Sequence, residues 1–199
     1  MIQPKIIYIS GKTCTGKTTL SKRLSSEHGY PIIELDTIVD SLHSDKDFIY
    51  IEAYQGDISS EIVQSFIKAT IQALSTEIAT HGGVIFEGAI ANPEILKAII
   101  EPWKSNYQFI YLHPVNTDKY VEQLVSRFIK SSAVNRNGLP SLLWNEFNKH
   151  RLEKYYKDRI LDEEILSCLT SYAKTSMKES DRRLKKFTEV FDNIDVREL

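Results

Sequence analysis

Short unbroken apolar runs alternate along the chain with longer stretches in which apolar residues recur at helical spacing. Lys5 to Ser10 is apolar and β-branched, the pattern of a strand buried on both faces. A helix is predicted from Thr18 through Leu24, ending near Gly29. Pro31 to Asp36 reads as a second strand. From Asp57 to Thr80, Ile62, Phe66, Ile67, Ile71, Leu74 and Ile78 recur with helical period, and Gly82-Gly83 stops the helix. Val84-Ile85-Phe86 is a third strand, closing at Glu87-Gly88, and Tyr107 to Leu112 a fourth. Asn116 or Thr117 caps a helix carrying Tyr120, Leu124, Val125 and Phe128. Residues 131–141 read as a polar loop, Leu142 to Ser176 as charged helix, and Phe187 to Phe191 as a last strand.

Strands alternating with helices imply βαβ units, hence an α/β fold on a parallel sheet. The 199 residues fit one domain, 1–199. Charge narrows the partners. A formal net charge of −2 gives the molecule no overall pull towards nucleic acid or an anionic membrane surface. Most Lys and Arg lie after residue 114, which allows a local anion-binding face. Cys14 and Cys168 form neither a disulfide framework nor a metal-ligand pattern, and no run of 18 apolar residues suggests a membrane span. The N-terminus lacks a signal-peptide core. These features place the chain in the cytoplasm, away from membranes and nucleic acid. They leave the oligomeric state open, a homodimer included.

The densest chemistry lies at Gly11-Lys12-Thr13-Cys14-Thr15-Gly16-Lys17-Thr18. Gly-x-x-x-x-Gly-Lys-Thr between a buried strand and a helix is a phosphate loop, or P-loop. Its glycines allow torsions that turn successive N–H groups inward at a positive helix end. Gly11, Thr13, Cys14, Thr15, Gly16, Lys17, Thr18 and Thr19 are the candidate nucleotide contacts. Lys17 supplies a charge for the outer phosphates and Thr18 a hydroxyl for Mg²⁺.

Glu34 and Asp36 stand two apart on the second strand, so both side chains leave one face near its C-terminal end, where α/β sheets place ligands. Asp36 is a candidate base for an attacking hydroxyl, or a helix cap, and Glu34 a candidate organiser of Mg²⁺ through water. Glu87, ending the third strand beside Gly88, is a candidate for substrate hydroxyls or for the metal's outer sphere. A buried structural acid is the competing reading. Arg127, late in a predicted helix, and Arg136, in the loop after it, are candidates for a closing flap over the transferred phosphoryl group. Lys149, Arg151, Lys154, Lys157 and Arg159 fit a solvated face.

These pieces, over roughly residues 5–140, resemble the P-loop kinases of the nucleoside-monophosphate-kinase-like group, which includes shikimate, gluconate and nucleoside kinases. That resemblance implies a three-layer fold on a five-stranded parallel sheet, a helical substrate insert at about 37–80 and an arginine lid at about 127–141. It also implies ATP and Mg²⁺ as cofactors and a small-molecule phosphoryl acceptor. Glu34-Leu35-Asp36 matches the acid-x-acid pattern of the sugar- and shikimate-type kinases, with Glu in place of the usual first Asp. Val84 to Gly88 is similar to the third-strand end of several such kinases and of zeta-toxin-like kinases, without the arginine that those toxins often carry next. A second resemblance, to the adenylate and tRNA isopentenyltransferases, rests on the same loop, on Leu35-Asp36, on Gly82 to Gly88 and on Leu143-Trp144-Asn145-Glu146. It implies prenyl transfer from dimethylallyl diphosphate to an adenine nucleotide. Against it, Lys12 stands where that family usually has Pro, and the chain is short. A motor or regulatory NTPase would need a Walker-B Asp and a sensor motif, and neither is evident.

Overall fold

The computed structural model describes residues 5–42, 52–130 and 163–199. Five strands form one parallel sheet in the order β2-β3-β1-β4-β5. They are β1 (Ile6–Gly11), β2 (Ile32–Glu34), β3 (Val84–Glu87), β4 (Tyr107–His113) and β5 (Ile194–Glu198). The helices are α1 (Lys17–His28), α2 (Leu35–Leu42), α3 (Glu61–His81), α4 (Pro93–Ile100), α5 (Thr117–Lys130) and α6 (Glu163–Thr188). The chain divides into two compact units. The first takes Met1–Gly11, Gly16–Leu112 and Arg183–Arg197, the second Lys12–Thr15, His113–Arg182 and Glu198–Leu199.

In the first unit β1 is the central strand, and Ile6, Ile7, Tyr8 and Ile9 are fully buried. Register stacks like on like. Tyr8 lies beside Phe86 of β3 and Phe109 of β4, with ring centroids 4.6 and 5.0 Å away. Rings at these spacings add specific contact energy to their area burial. Phe187 and Phe191 reach the same cluster, 5.1 and 5.6 Å from Phe109.

Several boundaries depart from the sequence pattern. The helix predicted from Asp57 begins at Glu61, because Ser60 caps it by accepting from the Val63 N–H. Its buried stripe is Val63, Phe66, Ile67, Thr70 and Leu74, so Val63 replaces Ile62 on the inner face. Gly82, at φ 77°, ends it with a left-handed turn. Phe187 to Phe191 is not a strand. Phe187 belongs to the last turn of α6, and the two phenylalanines, four apart, both face the core as a helical period demands. The final strand comes later, at Ile194–Glu198. Pro93–Ile100 forms a helix that the apolar pattern had not resolved, with Asn92 capping and Pro93 in the first turn. Asn116 rather than Thr117 caps α5, accepting from the Lys119 N–H at 3.0 Å.

β2 is only three residues long, and Leu35 already opens α2. Leu35 is fully buried and lies against Gly88, where an added Cβ would meet Leu35 Cδ1 at 2.6 Å and Cβ at 2.9 Å. A Leu Cβ cannot swing aside without its backbone. Gly88→Ala should therefore cost about 1–3 kcal/mol of stability, read by urea unfolding. An unchanged midpoint would show that this junction yields freely.

Candidate functional site

β1 delivers the chain to Gly11 at the C-terminal edge of the sheet, where ligands of open α/β folds bind. Left-handed torsions follow at Gly11 (φ 147°), Cys14 (64°) and Gly16 (81°). Cys14 is the only non-glycine residue of positive φ among the described residues. Such a torsion in an L residue costs of order 1 kcal/mol and persists only where neighbours enforce it.

Carbonyl partners do the enforcing. The Thr15 N–H and hydroxyl donate to the Lys12 carbonyl at 3.4 and 2.8 Å. The Tyr120 hydroxyl donates to the Thr13 carbonyl at 2.8 Å. In a trans peptide the N–H points opposite the C=O, so these bonds turn the Thr13 and Cys14 N–H groups away from Thr15 and Tyr120. Lys17 Nζ donates to the Gly11 carbonyl at 3.1 Å.

α1 starts at Lys17 on a Gly16 cap that offers no side-chain acceptor, and its first turn holds no acid. By contrast, α3 and α4 have Ser60 and Asn92 as caps and Glu61 and Glu94 in their first turns. The first amides of α1 thus keep their positive potential for an anion, the arrangement that binds phosphate.

Glu87 is the decisive side chain in the first unit. It is 6% exposed, and its Oε1 accepts from the Thr18 hydroxyl at 2.8 Å. Its Oε2 is buried without a hydrogen-bond partner among the described residues. A buried carboxylate oxygen is rarely left unsatisfied, because its desolvation costs about 1–3 kcal/mol or more. A cation or its bound water beside Thr18 would satisfy it. Among the described residues no three His, Cys, Asp or Glu side chains gather into a metal cage. The set present, one hydroxyl and one carboxylate, suits Mg²⁺, which takes few protein ligands and completes its octahedron with phosphates and water.

The second strand stops at Glu34, sooner than its pattern predicts. Asp36 is not on a strand with it: β2 ends at Glu34 and Asp36 sits in the first turn of α2, so alternation no longer puts both on one face. Glu34 is exposed, and lies opposite Glu87 in the β2–β3 register. It is Glu87 that bonds Thr18. Asp36 accepts from the Tyr54 hydroxyl at 2.5 Å, a contact that fixes its carboxylate. Gly88 turns its vacant side to Leu35, as packing requires. Arg183 donates to the Ala89 carbonyl at 3.2 Å, placing a half-buried guanidinium beside the chain as it leaves β3. Arg136 lies outside the described residues, as does most of the 127–141 lid, and the Arg127 side chain is likewise not described. Tyr54, Tyr120 and Arg183 escaped sequence reasoning. Their partners are 18, 107 and 94 residues away, and no local spacing marks such contacts.

Glu87→Gln keeps an acceptor for Thr18 and removes the charge. Isothermal titration should show ATP affinity in Mg²⁺ falling on the order of tenfold or more, with little change in EDTA. Equal losses in both buffers would assign Glu87 to the loop's structure alone.

A family model described as Zeta toxin matches residues 1–136, more than half of the chain. No curated protein sequence matches significantly. Among solved structures, a sugar kinase from a Janibacter species is similar at 14% identity and TM-score 0.48, covering 90% of this chain and 98% of that one. A gluconokinase from Sinorhizobium meliloti is similar at 15% identity and TM-score 0.46, covering 94% of each chain. A shikimate kinase from Bacteroides thetaiotaomicron is similar at 18% identity and TM-score 0.44, covering 93% of this chain and 98% of that one. Likeness this remote transfers neither substrate nor site. With the P-loop formed at the end of β1, and two thirds of the chain within one family model, the protein belongs to the Zeta toxin family of P-loop kinases.

Proposed function

We propose that the protein transfers the γ-phosphoryl group of ATP to a hydroxyl of a small-molecule acceptor, with the metal held at Thr18 and Glu87. The observation that carries this reading is the Thr18–Glu87 hydrogen bond with a buried, unsatisfied Glu87 oxygen behind it. The loop amides and Lys17 hold the phosphates. Thr18 and Glu87 would hold Mg²⁺, which would supply positive charge there. Glu34, exposed at the register position opposite Glu87, is the proposed organiser of the metal through water.

Asp36 is the proposed base. An exposed carboxylate fixed by a phenol can accept the proton of an incoming hydroxyl, and Tyr54 restricts its rotation. Arg183 gives the β3 end a cation that meets no carboxylate among the described residues, which favours an acceptor or leaving group with negative charge. Arg127 and Arg136 remain the proposed lid arginines. Phosphoryl transfer requires little covalent chemistry from the protein. Positioning and charge do most of it, and these groups supply both.

The test is acceptor-dependent ADP release from ATP·Mg²⁺ across a panel of nucleosides, nucleotides and polyols. Lys17→Ala should lower turnover about 10²–10³-fold, as loss of a preorganised transition-state charge does. Asp36→Asn should lower kcat about 10²-fold or more with little change in KM for ATP. ATP turnover that persists in Lys17→Ala would remove the phosphoryl-transfer reading. A loss for Asp36→Asn confined to KM would make Asp36 a structural group of α2.

A further inference from the structure

In the second unit the four residues Lys12–Thr15 meet a buried polar cluster contributed by α5 and α6. Tyr120, 1% exposed, donates its hydroxyl to the Thr13 carbonyl at 2.8 Å. Tyr172 and Ser176 are also buried. Ser176 lies beside both phenols, and Thr13 and Cys14 lie beside Tyr172. One turn on, Glu179 forms an ion pair with Lys12, whose side chain is 11% exposed. Tyr172, Ser176 and Glu179 recur at helical spacing, so α6 presents one polar stripe to these residues.

A packing role alone does not account for this chemistry. A phenylalanine would fill the space of Tyr120 without bringing a buried hydroxyl. What the hydroxyl adds is a fixed direction for the peptide between Thr13 and Cys14. Its carbonyl is held by Tyr120, so the Cys14 N–H must face the other way, and the positive φ of Cys14 carries the turn onwards. Burial also raises the pKa of Tyr120 and Tyr172, so both stay protonated and able to donate through the physiological range.

We propose that Tyr120, supported by Tyr172, Ser176 and the Lys12–Glu179 pair, is a positioning residue that aims the Cys14 amide at a nucleotide phosphate before nucleotide arrives. The inference rests on the reading of this loop as a phosphate site, and explains how a non-glycine residue is kept at a left-handed torsion there. A loop ordered in advance loses less entropy on binding, so removing the restraint appears as weaker phosphate affinity.

The probe is inorganic tripolyphosphate, titrated into the full ¹⁵N-labelled chain, which separates phosphate recognition from base recognition. In the wild type the Cys14 amide resonance should move downfield on binding. Tyr120→Phe should raise the dissociation constant about three- to tenfold, the effect of one lost hydrogen bond. It should also shrink the Cys14 shift while the β1 and β4 amides stay in place. If Tyr120→Phe fails to fold, Tyr172→Phe, which leaves the local charge unchanged, carries the test, with affinity falling in the same direction. A variant with wild-type affinity and an unchanged Cys14 shift overturns the positioning role and leaves the kinase reading intact. A wild-type chain that binds no tripolyphosphate overturns the phosphate site, and this inference with it.

Discussion

A loop that turns its N–H groups towards an anion must satisfy its carbonyls elsewhere, and that constraint shapes the structure around residues 11–18. Every buried peptide carries both a donor and an acceptor, and neither can be left without a partner at small cost. Here the carbonyls of Gly11, Lys12 and Thr13 are taken by Lys17, Thr15 and Tyr120. Positive φ values at Gly11, Cys14 and Gly16 accompany those bonds, a backbone form that suits turned-in amides. The strand beneath supplies rigidity. Four fully buried residues of β1, with Tyr8 between Phe86 and Phe109, hold the chain firmly where it enters the loop.

The same economy of polar groups explains the third strand. Glu87 is buried at the C-terminal end of an inner strand, where a carboxylate is costly unless something answers its charge. Thr18 answers one oxygen and nothing described answers the other. The site thus holds a hydroxyl, a carboxylate and uncapped helix amides where phosphates and a divalent cation can complete one another. Family membership and local chemistry agree on the reaction class.

Much of the frame was legible because its signals are local. A run such as Ile6-Ile7-Tyr8-Ile9 can be a strand buried on both faces without knowledge of its neighbours, and the glycines of the loop and of Gly82-Gly83 mark turns by torsion alone. The boundaries that moved were decided by contacts between distant residues. Alternation suggested that Glu34 and Asp36 share a strand, yet Leu35 is drawn into the core against Gly88 and starts a helix there. Phe187 and Phe191 looked β-like by composition, but both fill the same aromatic cluster from a helical turn. For the site, the loop was readable as a motif and Glu87 as a strand-end acid. Its bond to Thr18 was not, because parallel register sets which acid stands beside the loop. Tyr120 looked like an apolar helix position, and its hydroxyl acquires meaning only from a carbonyl 107 residues earlier.

Function in this account comes from charge placed in advance. In the proposed reading, the loop amides, Lys17 and the hydrogen-bonded Thr18–Glu87 pair would receive phosphates and metal, and Asp36, held by Tyr54, would serve the acceptor side. The most direct test is a crystal structure with a non-hydrolysable ATP analogue and Mn²⁺. An anomalous peak beside Thr18 Oγ1 and Glu87 Oε2, with the β-phosphate inside residues 11–18, is the predicted result. Manganese bound elsewhere, with the Glu87 carboxylate still joined only to Thr18 and the loop devoid of phosphate, would contradict it.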